Sequence, residues 1–289
     1  MEINTEKCTL CGECFKECPT KAVKKENGRF FIDPDMCIIC GHCAAVCRFN
    51  AVNGQKLSPH VNSKIKPGEM LQFLQNKRSV RRYTDRLVTR EELVKIASSA
   101  ISAATATNTM DWKLYIFTGS RLEQLRKKIL GMFLKFSGII RFALKFPLTR
   151  LFTSKSPARP YVMKKGSYET FGRLINDIRT GKDPILFNAP AVMVLTAPSW
   201  SKDFGPANCT IAGTQMMEMA FSMGIGSCMI GFAESILNIF PSSKKKSGIP
   251  RRERVHLVFT LGYPAVEFFY NPVRDFQIFL NGEKINPET

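Results

Sequence analysis

The alternation of apolar and polar positions predicts helices and strands in the larger, C-terminal part of the chain. Residues 111–118 alternate like a half-buried strand, whereas residues 191–196 form a short apolar run suited to a buried strand. Residues 255–262 predict another strand. Residues 207–223 are apolar on most faces and are followed by Gly224, which predicts a buried helix. These elements indicate an α+β domain with a central, mainly antiparallel sheet and surrounding helices.

Two further helices are predicted ahead of the first of these strands. Residues 70–76 form a short amphipathic segment. Thr89 is followed three residues later by Glu92, the signature of a capping box, and the pattern continues to about Ala103.

A polar stretch without periodicity, rich in Gly, Ser, Pro and Lys, follows the first fifty or so residues. We therefore expect a small domain over residues 1–53, a linker over 54–66 and a larger domain over 67–289.

Most of the ten cysteines of the chain lie in the small domain, in two runs of identical spacing. The second run repeats the first at a displacement of 29 residues, and a fixed period indicates a duplicated structural unit. Each half predicts a short strand, a cysteine loop and a short helix, and residues 28–33 predict a hairpin strand before the second loop. The two runs are Cys8, Cys11, Cys14 and Cys18, and Cys37, Cys40, Cys43 and Cys47.

Each run has the C-x2-C-x2-C-x3-C spacing of bacterial ferredoxins, and Pro19 completes the first motif where Arg48 follows the second. In two-cluster ferredoxins the fourth cysteine of a run ligates the other cluster. We therefore predict two 4Fe–4S clusters. Zinc is disfavoured, because a zinc site seldom needs eight cysteines in a duplicated arrangement. Cluster one takes Cys8, Cys11, Cys14 and Cys47, and cluster two takes Cys37, Cys40, Cys43 and Cys18.

The remaining titratable candidates predict no catalytic acid or base. His42 lies between two cysteines that already belong to a full set of ligands, so we expect it near the cluster or at the surface. Cys209 and Cys228 lie among apolar residues and are predicted to be core thiols. His60 falls in the linker, and His256 on a strand is predicted to be structural.

The formal net charge of +18 is unevenly distributed. Residues 1–53 are balanced, whereas residues 121–182 carry fifteen Lys/Arg against three acidic residues. Within this basic insertion, residues 131–152 are apolar with interspersed Lys and Arg. They predict a lid over the substrate pocket or a dimer-packing element ahead of an interfacial membrane helix, with nucleic-acid binding last, since no nucleic-acid module is recognised. The basic excess favours anionic or electron-poor substrates.

The N-terminus predicts no secretory signal, and no apolar run reaches the length needed to cross a bilayer. The cysteines therefore indicate metal ligation under reducing conditions, and we expect a soluble, cytoplasmic protein.

Four segments of the larger domain resemble the nitroreductase family over about residues 70–274. Residues 77–83 (KRSVRRY) are similar to its opening R-S-x-R-x-[FY] element, and residues 104–108 lie where the family has A-P-S-x-x-N, without the usual Pro-Ser. Residues 224–231 resemble its G-[LI]-G-x-x-x-[IL]-G segment, and residues 261–264 match its late L-G-Y-P.

The resemblance implies that the larger domain binds FMN at the interface of a homodimer. The basic and hydroxyl groups of the first segment would hold the phosphate and ribityl chain, as guanidinium groups and hydroxyl donors suit a phosphate. Asn108 would lie near the flavin ring, and Arg274 is the candidate for a second phosphate-binding arginine. The implied cofactor-binding residues are Arg78, Ser79, Arg81, Asn108, Met229, Ile230, Gly231 and Arg274.

The two domains together predict an FMN-dependent oxidoreductase. Electrons would pass from an external donor, reduced ferredoxin or NAD(P)H, through the clusters to FMN and on to a nitro-type or similar small electrophilic acceptor. Two alternatives remain: reduction of an enone, a quinone or a halogenated ring, or a non-enzymatic role as an electron carrier or redox sensor.

Overall fold

The computed structural model of the chain describes residues 1–58, 65–144, 167–240, 244, 247–272 and 276–285, with side chains omitted for 138–144, 167 and 168. Within these ranges, none of the helices combines the length and the apolar character that a membrane span requires. His60 and Arg274 lie outside the described residues.

The small N-terminal unit is closed by pairing of its first and last strands, which run antiparallel through the pairs Glu2–Asn53 and Ile3–Val52. A hairpin and two short helices, each following a cysteine loop, lie between them. The elements are β1 (Glu2–Ile3), α1 (Glu13–Glu17), β2 (Val23–Glu26), β3 (Arg29–Ile32), α2 (His42–Ala45) and β4 (Val52–Asn53).

The 29-residue duplication extends to the backbone conformation of the unit. Left-handed φ angles recur at corresponding places in the two halves, and the glycines of these pairs lead into α1 and α2. Non-glycine residues with positive φ are uncommon, so their recurrence at one period shows two copies of one loop fold. The pairs are Leu10 and Ile39 (φ 60° and 53°), Gly12 and Gly41 (79° in both), and Lys21 and Asn50 (58° and 48°).

The larger region is built on a four-stranded sheet with the order β5-β6-β8-β7, in which every neighbouring pair is antiparallel. The described elements are α3 (Pro67–Asn76), α4 (Arg90–Ser98), β5 (Lys113–Thr118), α5 (Gly119–Leu144), α6 (Ser167–Arg179), β6 (Ala191–Pro198), α7 (Gly205–Ser222), β7 (Gly226–Met229), α8 (Gly231–Ile239), β8 (Glu253–Gly262), β9 (Ile278–Leu280) and β10 (Glu283–Ile285). This is the predicted α+β class with a central antiparallel sheet.

Helices cover both faces of the sheet, so β6 is buried from Ala191 to Ala197, as the apolar run predicts. Val192 and Val194 pack on one face with α5 and α8, whereas Met193 and Leu195 pack on the other with α4 and α7. Alternate residues of a strand point to opposite faces, and β6 therefore serves two cores at once.

The basic insertion contains a core helix at its N-terminal end. Leu122, Leu125, Ile129 and Phe133 of α5 are all buried, and the Phe133 ring stacks on Phe171 of α6 with the centroids 6.0 Å apart. These side chains follow helical spacing and cover the sheet, so the N-terminal part of α5 contributes to the core. Residues 145–152 of the predicted lid are outside the described residues.

The capping box forms as predicted. The Glu92 amide donates to the Thr89 hydroxyl over 3.2 Å, and the Thr89 amide donates to the Glu92 carboxylate over 2.8 Å. The α-helix itself ends at Ser98 and continues as a 3₁₀ turn to Ser102. Helix α3 begins at Pro67, three residues before the predicted start, because proline suits the first helical turn.

Glu253 anchors the start of β8 through a buried set of hydrogen bonds. Its carboxylate accepts from Lys113 Nζ (2.6 Å), Tyr115 OH (2.8 Å) and Thr196 Oγ1 (2.5 Å). Burial acts to raise the pKa of Glu253, but these donors outweigh it and hold the pKa below its ordinary value of 4.5. The ionised carboxylate therefore stabilises the fold.

The Glu253→Gln substitution is expected to lower the free energy of unfolding by about 2 kcal/mol at neutral pH, because a buried charged acceptor is lost. A lowered pKa in the folded state stabilises the fold above the ordinary value and less so as the pH falls. The difference from wild type should therefore shrink below pH 4.5. Denaturant unfolding at several pH values measures it, with exposed Glu283→Gln as the control. An equal difference at all pH values would contradict the assignment.

Candidate functional site

Four cysteines from both runs line one cavity in the small unit, which encloses about 310 Å³, part of it open to solvent. Three come from the second run, and the fourth, Cys18, comes from the end of the first. Ile38 and Gly41 complete the wall beside the second loop. The cysteines are Cys18, Cys37, Cys40 and Cys43, the set predicted for cluster two.

A second cavity of about 350 Å³ contains the complementary set. Phe30 and Phe49 contribute apolar wall, and Cys47 crosses from the end of the second run. The cysteines are Cys8, Cys11, Cys14 and Cys47, the set predicted for cluster one. The crossing of Cys18 and Cys47 follows from the duplicated loops, which exchange their last ligand.

The cysteines are spread around these cavities and do not converge on a point. Among the described residues, no three His, Cys, Asp or Glu side chains lie close enough to hold a single metal ion. A zinc ion needs its four ligands within bonding distance of one centre, whereas a 4Fe–4S cluster binds each thiolate through a different iron. The chemistry of the donors and their spread therefore fit a cluster.

Backbone amides are directed at the two crossing cysteines. Ala22 donates to Cys18 Sγ over 3.2 Å, and Ala51, 29 residues later, donates to Cys47 Sγ over 3.3 Å. Burial acts to raise the pKa of Cys18, but hydrogen bonds from Val23, Thr20 and Ala22 outweigh it and lower the pKa. Such donors favour the thiolate and tune the reduction potential of a cluster.

Three of the four resemblance segments meet at the β7 edge of the sheet. Residues 79–83 run beside β7, with a parallel bridge between Ser79 and Ser227 and a 2.9 Å bond from the Val80 amide to the Ser227 carbonyl. Tyr83 OH lies 2.7 Å from both the Val80 carbonyl and the Thr260 hydroxyl of β8. The Tyr83–Pro264 bridge joins the L-G-Y-P segment to the same edge.

Residues 79–81 differ in the burial of their side chains. Val80 is buried against Gly226, where an added Cβ would lie 2.5 Å from a Val80 methyl group, so this crossing requires glycine. Ser79 and Arg81 flank Val80 and are exposed, and both interact with the Cys228 thiol. Burial raises the pKa of Cys228, which keeps it a neutral thiol within the core.

Arg78 is held in place but not fully satisfied. Its terminal nitrogens donate to the carbonyls of Gln75 (2.7 Å) and Lys77 (2.8 Å) and to Asn271 Oδ1 (2.6 Å). Its Nε is buried and has no hydrogen-bond partner among the described residues. Arg78 lines a cavity of about 500 Å³ with Gly224 and Ser227. A fixed guanidinium with a free donor beside a cavity suits an anion such as a phosphate.

The flavin-ring segment at the end of β7 is open in the single chain. Met229 has 47% of its surface exposed and Gly231 is exposed, whereas Ile230 between them is buried. Of the predicted cofactor residues that the structure describes, only Arg78 lines the 500 Å³ cavity. The others, Ser79 and Arg81 included, do not line it. The predicted flavin residues are therefore divided between a cavity, which Arg78 lines, and an open surface.

Asn108 is separate from the other predicted flavin residues. Its Nδ2 donates to the carbonyls of Ile38 (3.1 Å) and Ile39 (3.0 Å), which lie between Cys37 and Cys40 in the second cysteine loop. Thr107, Asn108 and Met110 all have positive φ, and Thr107, a β-branched residue, is strained there. This side chain joins the small unit to the larger domain.

Several residues of the site carry no signal in the sequence. The Ala22 and Ala51 amides act through the backbone, so their residue type does not reveal them. Extending the 29-residue repeat beyond the cysteines would have shown that the two positions correspond. Asn271 reaches Arg78 across 193 residues, and the Ile38 and Ile39 carbonyls reach Asn108 across about 70. Cys209 and Cys228 are buried, as predicted, and His42 is exposed.

Comparisons with known protein families identify both parts of the chain. The family model described as "Nitroreductase family" matches residues 74–263, and the model described as "4Fe-4S dicluster domain" matches residues 1–48.

Similar proteins cover much of the larger domain. A protein of Archaeoglobus fulgidus named "Putative NADH dehydrogenase/NAD(P)H nitroreductase" is 24% identical over 209 residues, 69% of this chain and 87% of that protein. A nitroreductase from Bacteroides fragilis, solved with FMN bound, has 18% identity and a TM-score of 0.52 and spans 73% of this chain and 98% of its own. A BluB-like flavoprotein from Clostridium difficile has 17% identity and a TM-score of 0.52 over 72% and 94%. These likenesses show the fold.

Proposed function

The chain belongs to the nitroreductase family, as an FMN-dependent oxidoreductase with a 4Fe–4S ferredoxin domain, and we propose that it carries electrons from an external donor through two 4Fe–4S clusters to FMN and on to a nitro-type or similar small electrophilic acceptor. The observation that carries this proposal is the contact of Asn108 with the second cysteine loop, because it couples the cluster-bearing unit to the flavin-binding domain.

The proposed binding of FMN starts from Arg78, whose unpartnered Nε would donate to the phosphate. Ser79 and Arg81 would extend the contact along the ribityl chain, and the exposed surface of Met229 and Gly231 would receive the ring. Arg274 is proposed as a second phosphate ligand. Bound FMN accepts electrons singly and releases them in pairs, and the protein orients it and excludes water.

A homodimer with FMN at its interface is part of the proposal. Helix α3 has no buried residue and exposes Met70, Leu71 and Leu74, and the described C-terminal segment exposes Tyr270 and Phe279. Large apolar surfaces of this kind mark interfaces, and a second copy would cover both them and the open flavin surface. We also propose that the chain divides into a small domain over residues 1–53, a linker over 54–66 and a larger domain over 67–289.

The ferredoxin domain favours a donor that delivers single electrons, such as reduced ferredoxin. NAD(P)H, the alternative donor, delivers a hydride and would reduce the flavin directly. Cys11 and its neighbour Leu10, half of whose surface is exposed, place the cluster-one loop at the surface of the small unit. We therefore propose cluster one as the entry point for a protein donor. The basic excess of residues 121–182 favours an anionic or electron-poor acceptor.

Steady-state turnover separates the reductase from a carrier or sensor. The holoprotein is supplied with dithionite-reduced ferredoxin or NAD(P)H and offered a nitroarene, a quinone, an enone and a halogenated arene in parallel. A reductase shows saturable kinetics on at least one acceptor, and the nitroarene is expected to have the highest kcat/KM. Reoxidation only by a protein partner, without turnover of any small acceptor, would contradict the enzymatic role.

A further inference from the structure

Residues 79–83 and 224–231 are the flavin segments of the chain. The position of the second cysteine loop relative to them determines which flavin its cluster can reduce. Asn108 lies just before β5, at one edge of the sheet, whereas residues 79–83 lie beside β7 at the opposite edge. Three strand spacings separate β5 from β7, which amounts to about 14 Å. The loop is therefore docked across the sheet from the flavin segments of its own chain.

The strand registers add a displacement along the strands. Lys113 at the start of β5 is level with Thr196 and Val255, whereas Cys228 of β7 is level with Thr260, Val192 and Phe117. Phe117 is four residues beyond Lys113, or about 13 Å along the strand. The two displacements combine to about 19 Å between the start of β5 and the flavin segment.

Helix α7 gives a second measure of this separation. The Ala106 amide, two residues before Asn108, donates to Asn208 Oδ1 near the N-terminus of α7 over 3.2 Å. Phe221, near the C-terminus of the same helix, lines the cavity that contains Arg78. Thirteen residues of α-helix separate Asn208 from Phe221, a length of about 20 Å. Both measures place the docked loop and the Arg78 cavity at opposite ends of the domain.

The docked loop is part of the wall of cluster two. Ile38 lines the cavity of Cys18, Cys37, Cys40 and Cys43, and its carbonyl accepts from Asn108. Among the described residues, the cavity of cluster one is lined by none beyond Val52. Cluster two is therefore the one in contact with the flavin domain, and electrons from cluster one would leave the small unit through it.

Resting on the proposed function and its homodimer, we propose that the ferredoxin domain of each chain reduces the FMN held by Arg78, Ser79 and Arg81 of the other chain. Electron tunnelling slows steeply with distance. The place where the second cysteine loop is docked lies about 20 Å from the flavin segments of its own chain, so this loop is poorly placed to reduce the flavin bound there. Asn108 Oδ1 accepts no hydrogen bond among the described residues, which leaves it available to an N–H of the partner-held flavin. Asn108 is thus a positioning residue between the two cofactors.

An external one-electron donor reduces cluster one, which reduces cluster two, and two such electrons reach the flavin one at a time. The pair then leaves with two protons from solvent to a nitro group, which becomes a nitroso group with release of water. Each chain therefore uses its own clusters and the flavin of its partner.

Two mixed dimers carrying the same two lesions test this assignment. Cys37→Ser removes a ligand of cluster two, and Arg78→Glu repels the FMN phosphate. In the split dimer each chain carries one lesion, and in the same-chain dimer one chain carries both. Chains with different affinity tags are co-expressed and purified through both tags, and iron and FMN contents confirm one lesion of each kind per dimer. Rapid mixing then measures flavin reduction by the reduced clusters.

Transfer to the partner predicts that the split dimer keeps about half of the wild-type amplitude, since one of two symmetric paths survives. In that dimer the intact ferredoxin domain lies on the chain without FMN and faces the FMN of the other chain. The same-chain dimer should fall to the level of the Cys37→Ser homodimer. The reverse pattern, or equal amplitudes in both dimers, would overturn the inference while leaving the proposed function intact. Absence of cluster-to-flavin transfer in the wild type would overturn both.

A milder lesion replaces Cys37→Ser if that chain does not fold. Asn108→Asp keeps the shape of the side chain but replaces the donating Nδ2 by an oxygen, which faces the two carbonyls. Because the hydrogen bonds are lost, electron transfer to the flavin is expected to be about tenfold slower or more. Thr107→Ser on the same strained segment is the matched control. Hydrogen exchange of residues 105–110 in FMN-free protein, expected to rise in Asn108→Asp only, reports the docking without relying on activity. Unchanged exchange and unchanged transfer in Asn108→Asp would overturn the role of Asn108.

Discussion

Replacement of Cys18 by serine is expected to remove cluster two and leave cluster one intact, although Cys18 belongs to the first cysteine run. Cys18 lines the cavity of the second run and receives the Ala22 amide on its sulfur. The iron content should fall from about eight to about four per chain, and one cluster signal should persist in electron paramagnetic resonance. Reduction of the flavin through the clusters should be lost, because the second cysteine loop, which would hold cluster two, contacts the larger domain through Asn108.

Double substitutions make the pairing of ligands testable, because two lesions in one cluster cost no more iron than one. Cys18→Ser combined with Cys37→Ser should retain about four irons, whereas Cys18→Ser combined with Cys8→Ser should retain almost none. Cys209→Ser is the matched control, since Cys209 is buried in the larger domain, where burial raises its thiol pKa to about 12. Loss of both clusters in the Cys18→Ser/Cys37→Ser double variant would contradict the crossed assignment.

The Arg78→Ala substitution is expected to weaken FMN binding by about ten- to a hundredfold, since a hydrogen bond between charged partners contributes about 1.5–3 kcal/mol. The buried Nε of Arg78 has no partner among the described residues, and Asn271 and two backbone carbonyls fix the guanidinium beside the cavity. Fluorescence titration of the FMN-free protein with FMN measures the affinity. The iron content should not change, because both cluster cavities lie in the small unit.

Arg82→Ala provides the control for the loss of a positive charge in the same segment. Arg82 is exposed and is not among the residues predicted to hold FMN. The affinity of the Arg82→Ala variant for FMN should stay within about twofold of wild type, because the lost charge is exposed and away from the ligand. Equal losses in the two variants would show that general charge attraction holds FMN and would remove the specific role of Arg78.

The features that could be predicted from the sequence depend on short spacings. The capping box of Thr89 and Glu92 needs only four residues, and it forms as expected. The grouping of the eight cysteines follows from one motif repeated at 29 residues, because two copies of one loop place equivalent side chains equivalently. Strand β6 was recognisable because burial on both faces requires an unbroken apolar run.

Two features were not predicted, and the second of them depends on a contact between distant residues. The basic composition of residues 121–182 concealed the helical spacing of Leu122, Leu125 and Ile129, which packs α5 on the sheet. Asn108 was expected beside a flavin ring, and its contact with Ile38 and Ile39 depends on two domains joined by a linker without periodicity. Hydrogen bonds to backbone carbonyls leave no trace in residue type, so no pattern could have indicated this contact.

The central claim is that electrons of the clusters reach the acceptor through the flavin. The most direct test reduces the holoprotein anaerobically, with iron and FMN quantified, and mixes it rapidly with a nitroarene while the cluster and flavin spectra are followed together. About eight irons and one FMN per chain are expected, and the nitroarene should reoxidise both centres in wild type. In the Arg78→Ala variant depleted of FMN, the clusters should stay reduced. Clusters that are reoxidised equally fast without FMN, or a reduced flavin that the nitroarene leaves unchanged, would contradict the claim.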